Sequence, residues 1–134
     1  MTDFELLSIA KESRNLSYSP YSGISVGAAL LCGDGKVYVG ANIENAAHSP
    51  TVCAERVAFF KAISEGEGRF LKIAVAGGKN GSDTAALFSP CGVCRQVMEE
   101  FCPPDFEIIL ENGVSVQRLT LAQLLPYSFG KEKL

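Results

Sequence analysis

The chain has 134 residues, of which 47% are apolar and 20% are charged, so it is not a disordered polymer. This length predicts one globular domain that spans residues 1–134. The formal net charge is −3 and no run of Lys or Arg stands out, which disfavours a nucleic-acid partner and suits a small, nearly neutral substrate.

The first half of the chain predicts a helix, a pair of strands and a second helix. Thr2 and Glu5 form a capping box, in which each residue caps a free N–H group of the other, so a helix opens here. The turn Gly33-Asp34-Gly35 separates two apolar runs, and Gly66 is a natural stop for the second helix. These four elements are expected at residues 2–15, 25–32, 36–41 and 52–65.

The second half predicts three strands, a third helix and a last helical turn. The Asn112-Gly113 pair favours a hairpin between the last two strands, and Thr120 opens the final turn. Because strands that alternate with helices need crossovers, part of the sheet should be parallel and covered on both faces. The elements are expected at residues 71–76, 91–102, 106–110, 114–119 and 120–123, with a long loop at 77–90.

The N-terminus and the cysteines predict a cytoplasmic protein. The N-terminus has neither the basic segment nor the apolar segment of a signal peptide, and no apolar run reaches the length of a membrane span. Five cysteines, an odd number, favour reduced thiols over a disulfide framework. His48 is the single histidine, so a metal site must consist mostly of sulfur or carboxylate; we assign His48 no role.

Two cysteine stretches predict a metal site. Cys91 and Cys94 have a common spacing for two thiolates on one zinc ion, and Cys53 lies at the start of another predicted helix. Helix N-termini lower the pKa of thiols, so two helix starts can offer three thiolates and leave a fourth position for water. The alternatives are a redox dithiol and a closed four-cysteine site that adds Cys32 or Cys102, although both of these residues suit small buried hydrophobes better.

Glu55 is a candidate proton carrier beside this site. Zinc lowers the pKa of its water to about 7, but addition of hydroxide to an unsaturated carbon still leaves the neighbouring atom and the departing group in need of protons. A carboxylate near the metal can supply both, which contributes ~10²–10⁴-fold. Alternatively, Glu55 is only a favourable acid in a first helical turn. Arg56 and Arg95 each follow a motif and are expected to donate to the sulfurs, unless they are surface residues.

Residues 53–56, Cys-Ala-Glu-Arg, and residues 90–96, Pro-Cys-Gly-Val-Cys-Arg-Gln, resemble the zinc-dependent cytidine deaminase family in its small, all-cysteine form. The resemblance extends to residues 18–22, 26–30 and 40–47 and so covers nearly the whole chain. It implies a three-layer α/β/α sandwich around a mixed five-stranded sheet. It also implies a homotetramer with shared active sites and one zinc ion per subunit.

The resemblance implies roles for some residues of the two motifs and for several residues outside them. Glu55 would shuttle protons between water and the base, and the zinc ligands would be Cys53, Cys91 and Cys94. The backbone around Ala54 and Ser89 would contact the edge of the base.

Outside the motifs, Asn42 and Glu44 would hydrogen-bond the ribose hydroxyls, which an amide and a carboxylate can do. Phe129 would reach into the site of a neighbouring subunit. Taken alone, ordinary loop polarity explains Asn42 and Glu44, and a Phe near a C-terminus more often packs on its own core. Ile24 stands where the family often has a Phe that packs on the base, and it loses an aromatic stacking contribution of about 1 kcal/mol.

The resemblance implies the hydrolytic deamination of cytidine and deoxycytidine to uridine and deoxyuridine, with release of ammonia, in pyrimidine salvage. Deamination of another aminopyrimidine, such as a nucleoside antibiotic, stays open because of Ile24. A non-catalytic, zinc-stabilised binding module would instead show four-coordinate zinc without water and no effect of Glu55→Gln. A polynucleotide editor is disfavoured by the acidic net charge and the short loops.

Overall fold

The computed structural model describes residues 1–83 and 86–134, which form a five-stranded sheet with helices packed against it. The strand order is β2-β1-β3-β4-β5. The strands are β1 (Ile24–Cys32), β2 (Val37–Ala41), β3 (Phe70–Lys79), β4 (Glu107–Glu111) and β5 (Val116–Thr120). The helices are α1 (Asp3–Ser13), α2 (Ala54–Ser64), α3 (Gly92–Phe101) and α4 (Leu121–Leu124), with 3-10 turns at Arg14–Leu16 and Lys131–Lys133.

The sheet is mixed, as the alternation of helices and strands predicted. β3 and β4 pair in parallel, and α3 lies in the connection between them. The β1–β2, β1–β3 and β4–β5 pairs are antiparallel. The hairpin predicted from Asn112-Gly113 is confirmed as the connection of β4 to β5.

Apolar side chains cover both faces of the sheet and form two cores. One core contains Leu6 and Leu7 of α1 with Ala29 of β1, and the other contains Phe59 of α2 with Met98 of α3. Alternate residues of a strand point to opposite faces, so Ala28 and Leu30 belong to the second core while Ala29 and Leu31 belong to the first. The predicted three-layer α/β/α sandwich is confirmed.

Two capping boxes fix helix starts as the sequence predicted. The Glu5 N–H donates to Thr2 Oγ1 at 3.1 Å, and the Thr2 N–H donates to Glu5 Oε2 at 2.8 Å. Thr120 and Gln123 make the same reciprocal pair at the start of α4. Since four N–H groups at a helix start lack intrahelical partners, these short motifs determine where α1 and α4 begin.

The predicted end of β3 at Ala76 was wrong. The strand continues to Lys79 because β1 supplies hydrogen-bonding partners along the whole segment, up to the pair of Ile24 with Lys79. Gly77 and Gly78 are typical of a loop when considered locally, but pairing with β1 overrides this preference. The loop predicted at residues 77–90 is therefore shorter; its residues 84 and 85 lie outside the described part of the chain.

The first turn of α2 lies directly against β2 at Gly40. A Cβ atom at this position would be 2.3 Å from the Ala54 carbonyl oxygen and 2.7 Å from the Ala58 nitrogen. Real Cβ atoms do not approach backbone atoms this closely, so glycine is required here for the close approach. The missing side chain sets the distance between α2 and the sheet.

None of the helices within residues 1–83 and 86–134 combines the length and the apolar character that a membrane crossing requires. The longest of these helices, α1 and α2, have 11 residues each. A membrane-spanning helix needs about 20 predominantly apolar residues.

Asp3 connects the start of α1 to two strands. Its carboxylate accepts hydrogen bonds from Lys72 Nζ of β3 at 2.5 Å and from Arg118 Nε of β5, and 14% of its side chain is exposed. The hydrogen bonds from Lys72 and Arg118 lower the pKa of Asp3 from its ordinary value of 3.8. Because the pKa is lower in the folded state, the stabilisation is present above the unfolded pKa and is lost as the pH falls through the folded pKa.

We expect Asp3→Asn to reduce the free energy of unfolding at pH 7 by ~1–3 kcal/mol, because two cations lose a charged acceptor. The difference from the unaltered chain should shrink steadily below pH 4, as Asp3 itself becomes protonated. Urea unfolding at pH 7 and near pH 2 measures both effects. Asp34→Asn is the matched control, because Asp34 lies 4.0 Å from Lys36 with 45% of its side chain exposed. The stabilising role of the Asp3 carboxylate would be contradicted if both variants lost the same free energy of unfolding. It would also be contradicted if the loss in Asp3→Asn did not change with pH.

Candidate active site

Three thiols meet where α2 and α3 begin. Cys53 is the N-cap of α2, Cys91 is the N-cap of α3, and Cys94 lies in the first turn of α3. The Cys53 and Cys91 Sγ atoms are 3.7 Å apart, the Cys91 and Cys94 Sγ atoms are 3.6 Å apart, and all three lie within 4.8 Å of one another. The sequence predicted this cluster, although it placed Cys53 and Cys91 inside first turns rather than at caps. Nowhere else in the described ranges do three potential ligands converge.

The sulfur geometry fits zinc. Zinc–sulfur bonds of about 2.3 Å in a tetrahedron place two sulfurs ~3.8 Å apart, close to the 3.6 and 3.7 Å found here. Three thiolates then leave one tetrahedral position for another ligand. Cys32 and Cys102 lie outside the cluster, and burial raises the pKa of Cys32 to about 11 and that of Cys102 to about 12. Cys32 is buried and Cys102 is half-buried, and neither thiol joins the cluster, so the four-cysteine alternative is not formed.

The thiols are hydrogen-bonded to one another and to Arg56. The hydrogen bond from Cys94 contributes most to lowering the pKa of Cys53, and a hydrogen bond from Arg56 lowers it further. The hydrogen bond between Cys94 and Cys53 raises the pKa of Cys94. Arg56 Nη2 donates to Cys53 Sγ at 3.4 Å, which is the type of contact expected from the sequence. Its Nε is buried without a partner in the described part of the chain. The positive guanidinium group of Arg56 therefore lies beside thiols that become negatively charged when they lose their protons.

Arg95 points elsewhere, and this corrects the expectation that it donates to a sulfur. Its guanidinium donates to the carbonyl oxygens of Pro90 at 2.7 Å and Leu124 at 2.6 Å, and to Ser89 Oγ at 3.3 Å. Consecutive residues of a helix point about 100° apart, so Arg95 cannot share the direction of Cys94. It connects the start of α3 to α4 and so supports, through the backbone, the turn that carries Cys91 and Cys94.

Glu55 is buried beside the thiols, with 4% of its surface exposed. Burial contributes most to raising the pKa of Glu55, to about 7, and the negative charge of Cys53 acts in the same direction. Cys53 and Glu55 both line one pocket although they are two residues apart, because Cys53 has extended dihedral angles (φ −77°, ψ 155°) and lies outside the helical repeat. A carboxyl group with a pKa near neutrality can both accept and donate a proton at physiological pH.

The pocket that contains Glu55 has a volume of about 220 Å³. It combines two of the thiols and a carboxyl group with aliphatic, amide and hydroxyl side chains. Its lining is Val26, Asn42, Thr51, Val52, Cys53, Ala54, Glu55, Phe88, Ser89 and Cys91. Ala54 and Ser89, which the resemblance assigned to the edge of the base, are thus both present in it.

The side-chain amide of Asn42 has a fixed orientation. Its Oδ1 accepts from the Val26 N–H at 2.8 Å and from the Ser17 hydroxyl at 2.6 Å, and its Nδ2 donates to the Ile24 carbonyl at 2.9 Å. A backbone N–H can only donate and a carbonyl can only accept, so these partners determine which end of the amide is oxygen. Both lone pairs of Oδ1 are used, and one N–H of Nδ2 remains for a ligand.

Glu44 does not line this pocket. Its carboxylate accepts from the backbone N–H groups of Tyr21 at 2.9 Å and Ser22 at 3.1 Å, and from the Ser22 hydroxyl at 2.5 Å. The Ser22 hydroxyl bond, above all, lowers the pKa of Glu44. Glu44 therefore holds the 20–22 turn and stays ionised at neutral pH.

Two aromatic residues differ in their relation to the pocket. Phe129 is 60% exposed and lies outside the pocket, and its carbonyl oxygen accepts a hydrogen bond from Gln96 Nε2 at 2.8 Å. Phe88 lines the pocket, a position that the sequence reasoning missed. The available clue was its place three residues before Cys91, which brings it close to any ligand held there. Ile24, at the start of β1, is absent from the lining.

Comparisons with known proteins agree with this geometry. Residues 1–109 match the family model described as the cytidine and deoxycytidylate deaminase zinc-binding region. A cytidine deaminase of Sporosarcina psychrophila is 47% identical over 131 residues, which cover 97% of this chain and 93% of the relative. A blasticidin-S deaminase of Bacillus cereus is 30% identical over 130 residues, covering 95% and 91%.

The fold is also similar to solved structures. The crystal structure of a cytidine deaminase from Burkholderia pseudomallei superposes with a TM-score of 0.87 at 42% sequence identity. The superposition covers 96% of this chain and 100% of that one.

Proposed function

The chain belongs to the cytidine and deoxycytidylate deaminase family, and from this premise we propose that it converts both cytidine and 2'-deoxycytidine to uridine and 2'-deoxyuridine in pyrimidine salvage. Cytidine deaminases are hydrolases, and the family binds zinc. The observation that supports the proposal most directly is a buried carboxyl group beside three convergent thiols in a single pocket.

Cys53, Cys91 and Cys94 are the proposed ligands of one zinc ion per chain. Zinc at such a site supplies Lewis acidity, which lowers the pKa of a coordinated water to about 7. Arg56 donates to Cys53 Sγ and offsets part of the negative charge of three thiolates. A sulfur that accepts a hydrogen bond would donate less negative charge to a bound metal. The metal would then keep more of its Lewis acidity.

Glu55 is the proposed carrier of both protons. Its carboxylate accepts a proton from the attacking water and donates it to the ring nitrogen next to the amino-bearing carbon. It then accepts the remaining proton of the added hydroxyl and donates it to the departing amino nitrogen, so that the C–N bond breaks and ammonia leaves. Water and cytidine thus give uridine and ammonia, and Glu55 ends in its starting state. A pKa raised to about 7 suits a group that must both take up and release protons.

Asn42 and Glu44 are the proposed contacts to the sugar. Asn42 offers the pocket one N–H donor, because its other positions are occupied by Ser17, Ile24 and Val26. Glu44 offers only acceptors. A sugar hydroxyl can accept a hydrogen bond from the Asn42 amide and can donate one to the Glu44 carboxylate. The two residues together therefore suit a hydroxyl substituent.

We expect Ser17→Ala to raise KM for cytidine ~2- to 10-fold while kcat changes less than twofold, because the amide of Asn42 loses one of the bonds that orient it. Initial-rate kinetics separate the two parameters. Ser13→Ala is the control, since Ser13 is buried and its hydroxyl donates to the Ile9 carbonyl within α1 instead of to Asn42. A fall in kcat at unchanged KM would contradict a role in positioning Asn42.

The proposal is tested by incubating the purified chain with a panel of nucleosides and following the ultraviolet change on loss of the amino group. Turnover of cytidine and 2'-deoxycytidine is expected; free cytosine and single-stranded DNA should react at least ~100-fold more slowly. Failure with both nucleosides would overturn the proposal. Blasticidin S belongs in the panel because a blasticidin-S deaminase is 30% identical to this chain, which keeps an aminopyrimidine antibiotic as the second candidate substrate.

We also propose that residues 1–134 act as one cytoplasmic domain within a homotetramer, in which Phe129 enters the site of a neighbouring subunit. Two features support assembly. The Phe129 side chain is exposed, and an open, largely apolar groove of about 750 Å³ lies between β2 and α2, with Val37 and Phe60 in its lining. None of the thiols lies in that groove, so it is available for contact between subunits rather than for chemistry.

A further inference from the structure

Among the described residues, Phe88 is the one aromatic residue that lines the pocket of Glu55. It lines the same pocket as Glu55, Cys53 and Cys91, so a base bound in this pocket shares its walls with Phe88. The neighbouring lining residues Val26 and Val52 are aliphatic. Phe88 as a whole is half-buried.

The backbone of β3 supports the ring at Gly77. A Cβ atom at this position would lie 2.5 Å from Phe88 Cγ and 2.7 and 2.9 Å from its two Cδ atoms. A side chain at Gly77 would therefore displace the ring. Gly77 pairs with Val26 across β1 and β3, and Val26 also lines the pocket. The ring is thus held between the sheet and the pocket interior.

From this geometry we propose that Phe88 packs against the pyrimidine ring of the substrate and determines specificity for a planar, aromatic base. The inference rests on the proposed function and adds to it the residue that recognises the ring. Ile24 does not line the pocket, so the aromatic contact made by this chain's own residues comes from the segment that leads to Cys91 instead of from β1. Two stacked or edge-to-face aromatic rings gain interaction energy beyond the area they bury, and a saturated ring does not receive this contribution.

The test compares two ligands that share a sugar and differ in the ring, uridine and 5,6-dihydrouridine. Their dissociation constants are measured by calorimetry with the zinc-loaded chain and its variants. Phe88→Leu should weaken uridine binding ~2- to 10-fold and change dihydrouridine binding less than twofold. Phe88→Tyr, which keeps the aromatic ring, should retain the preference for uridine. Leu87→Ala is the matched control, because Leu87 is adjacent and exposed but does not line the pocket.

Equal weakening of both ligands by Phe88→Leu, or no change in either, would overturn the proposal, because the residue would then act only as a wall or not at all. Zinc content and thermal unfolding identify a variant that has lost its fold, and Phe88→Met then replaces Phe88→Leu in the same comparison. If the unaltered chain bound and deaminated no pyrimidine nucleoside, the proposed function itself would fail. That result is distinct from a loss of ring selectivity in an active enzyme.

Discussion

Glu55→Gln should lower kcat/KM for cytidine by ~10²–10⁴-fold without loss of zinc or fold, because an amide cannot exchange protons with water and base. Glutamine has nearly the same shape and keeps a carbonyl acceptor. Glu55 is 4% exposed and burial raises its pKa to about 7, so the substitution removes no strongly favoured charge. Steady-state kinetics, zinc analysis and thermal unfolding on one preparation measure the three properties.

The control for this change is Glu12→Gln, which makes the same chemical substitution at an exposed position of α1. It should leave kcat/KM within twofold of the unaltered chain. If Glu55→Gln kept zinc, fold and turnover, Glu55 would be only a favourable acid in the first turn of α2. Zinc would then support a binding module instead of a catalyst.

Cys91→Ala is expected to abolish both zinc binding and turnover. Cys91 contacts both other thiols, at 3.7 Å to Cys53 and 3.6 Å to Cys94, so its removal leaves two ligands from two different helices. Stability should fall as well, because an ion that binds only the folded state adds ~4 kcal/mol when its free concentration is 1,000 times its dissociation constant. Metal analysis and thermal unfolding, with and without a chelator, measure these effects.

Cys102→Ala separates the role of a metal ligand from that of a thiol in general. Cys102 is the C-cap of α3 and lies outside the sulfur cluster. This variant should keep one zinc ion per chain and full turnover, with a stability loss of ~1 kcal/mol. Retention of zinc by Cys91→Ala together with its loss from Cys102→Ala would show that the ligands have been misassigned.

The local features of the fold were predictable because their causes are local. The capping boxes at Thr2 and Thr120 and the hairpin at Asn112-Gly113 each depend on residues within a few positions of one another. The spacing of Cys91 and Cys94 is of the same kind, since both lie at one helix start. The convergence of Cys53 on this pair depends on the packing of α2 and α3, so the sequence offered it as a hypothesis from two helix starts, and the resemblance to a family then implied it.

The features that the sequence did not reveal depend on contacts between distant segments. β3 extends to Lys79 because β1 is its partner, and no property of Gly77 itself indicates this. The orientation of the Asn42 amide results from partners in β1 and in the turn before it. Phe88 lies in a loop, where apolar residues follow no period that could predict the direction of a side chain.

The close approach at Gly40 limits how this enzyme can diverge. Gly40 has no functional group and lies in β2, yet any side chain there would collide with the Ala54 carbonyl and push away the turn that carries Glu55. In a saturation library selected for growth on cytidine, position 40 should therefore tolerate as little variation as the three clustered cysteines. Selection for catalysis would then preserve a residue that takes no part in the chemistry.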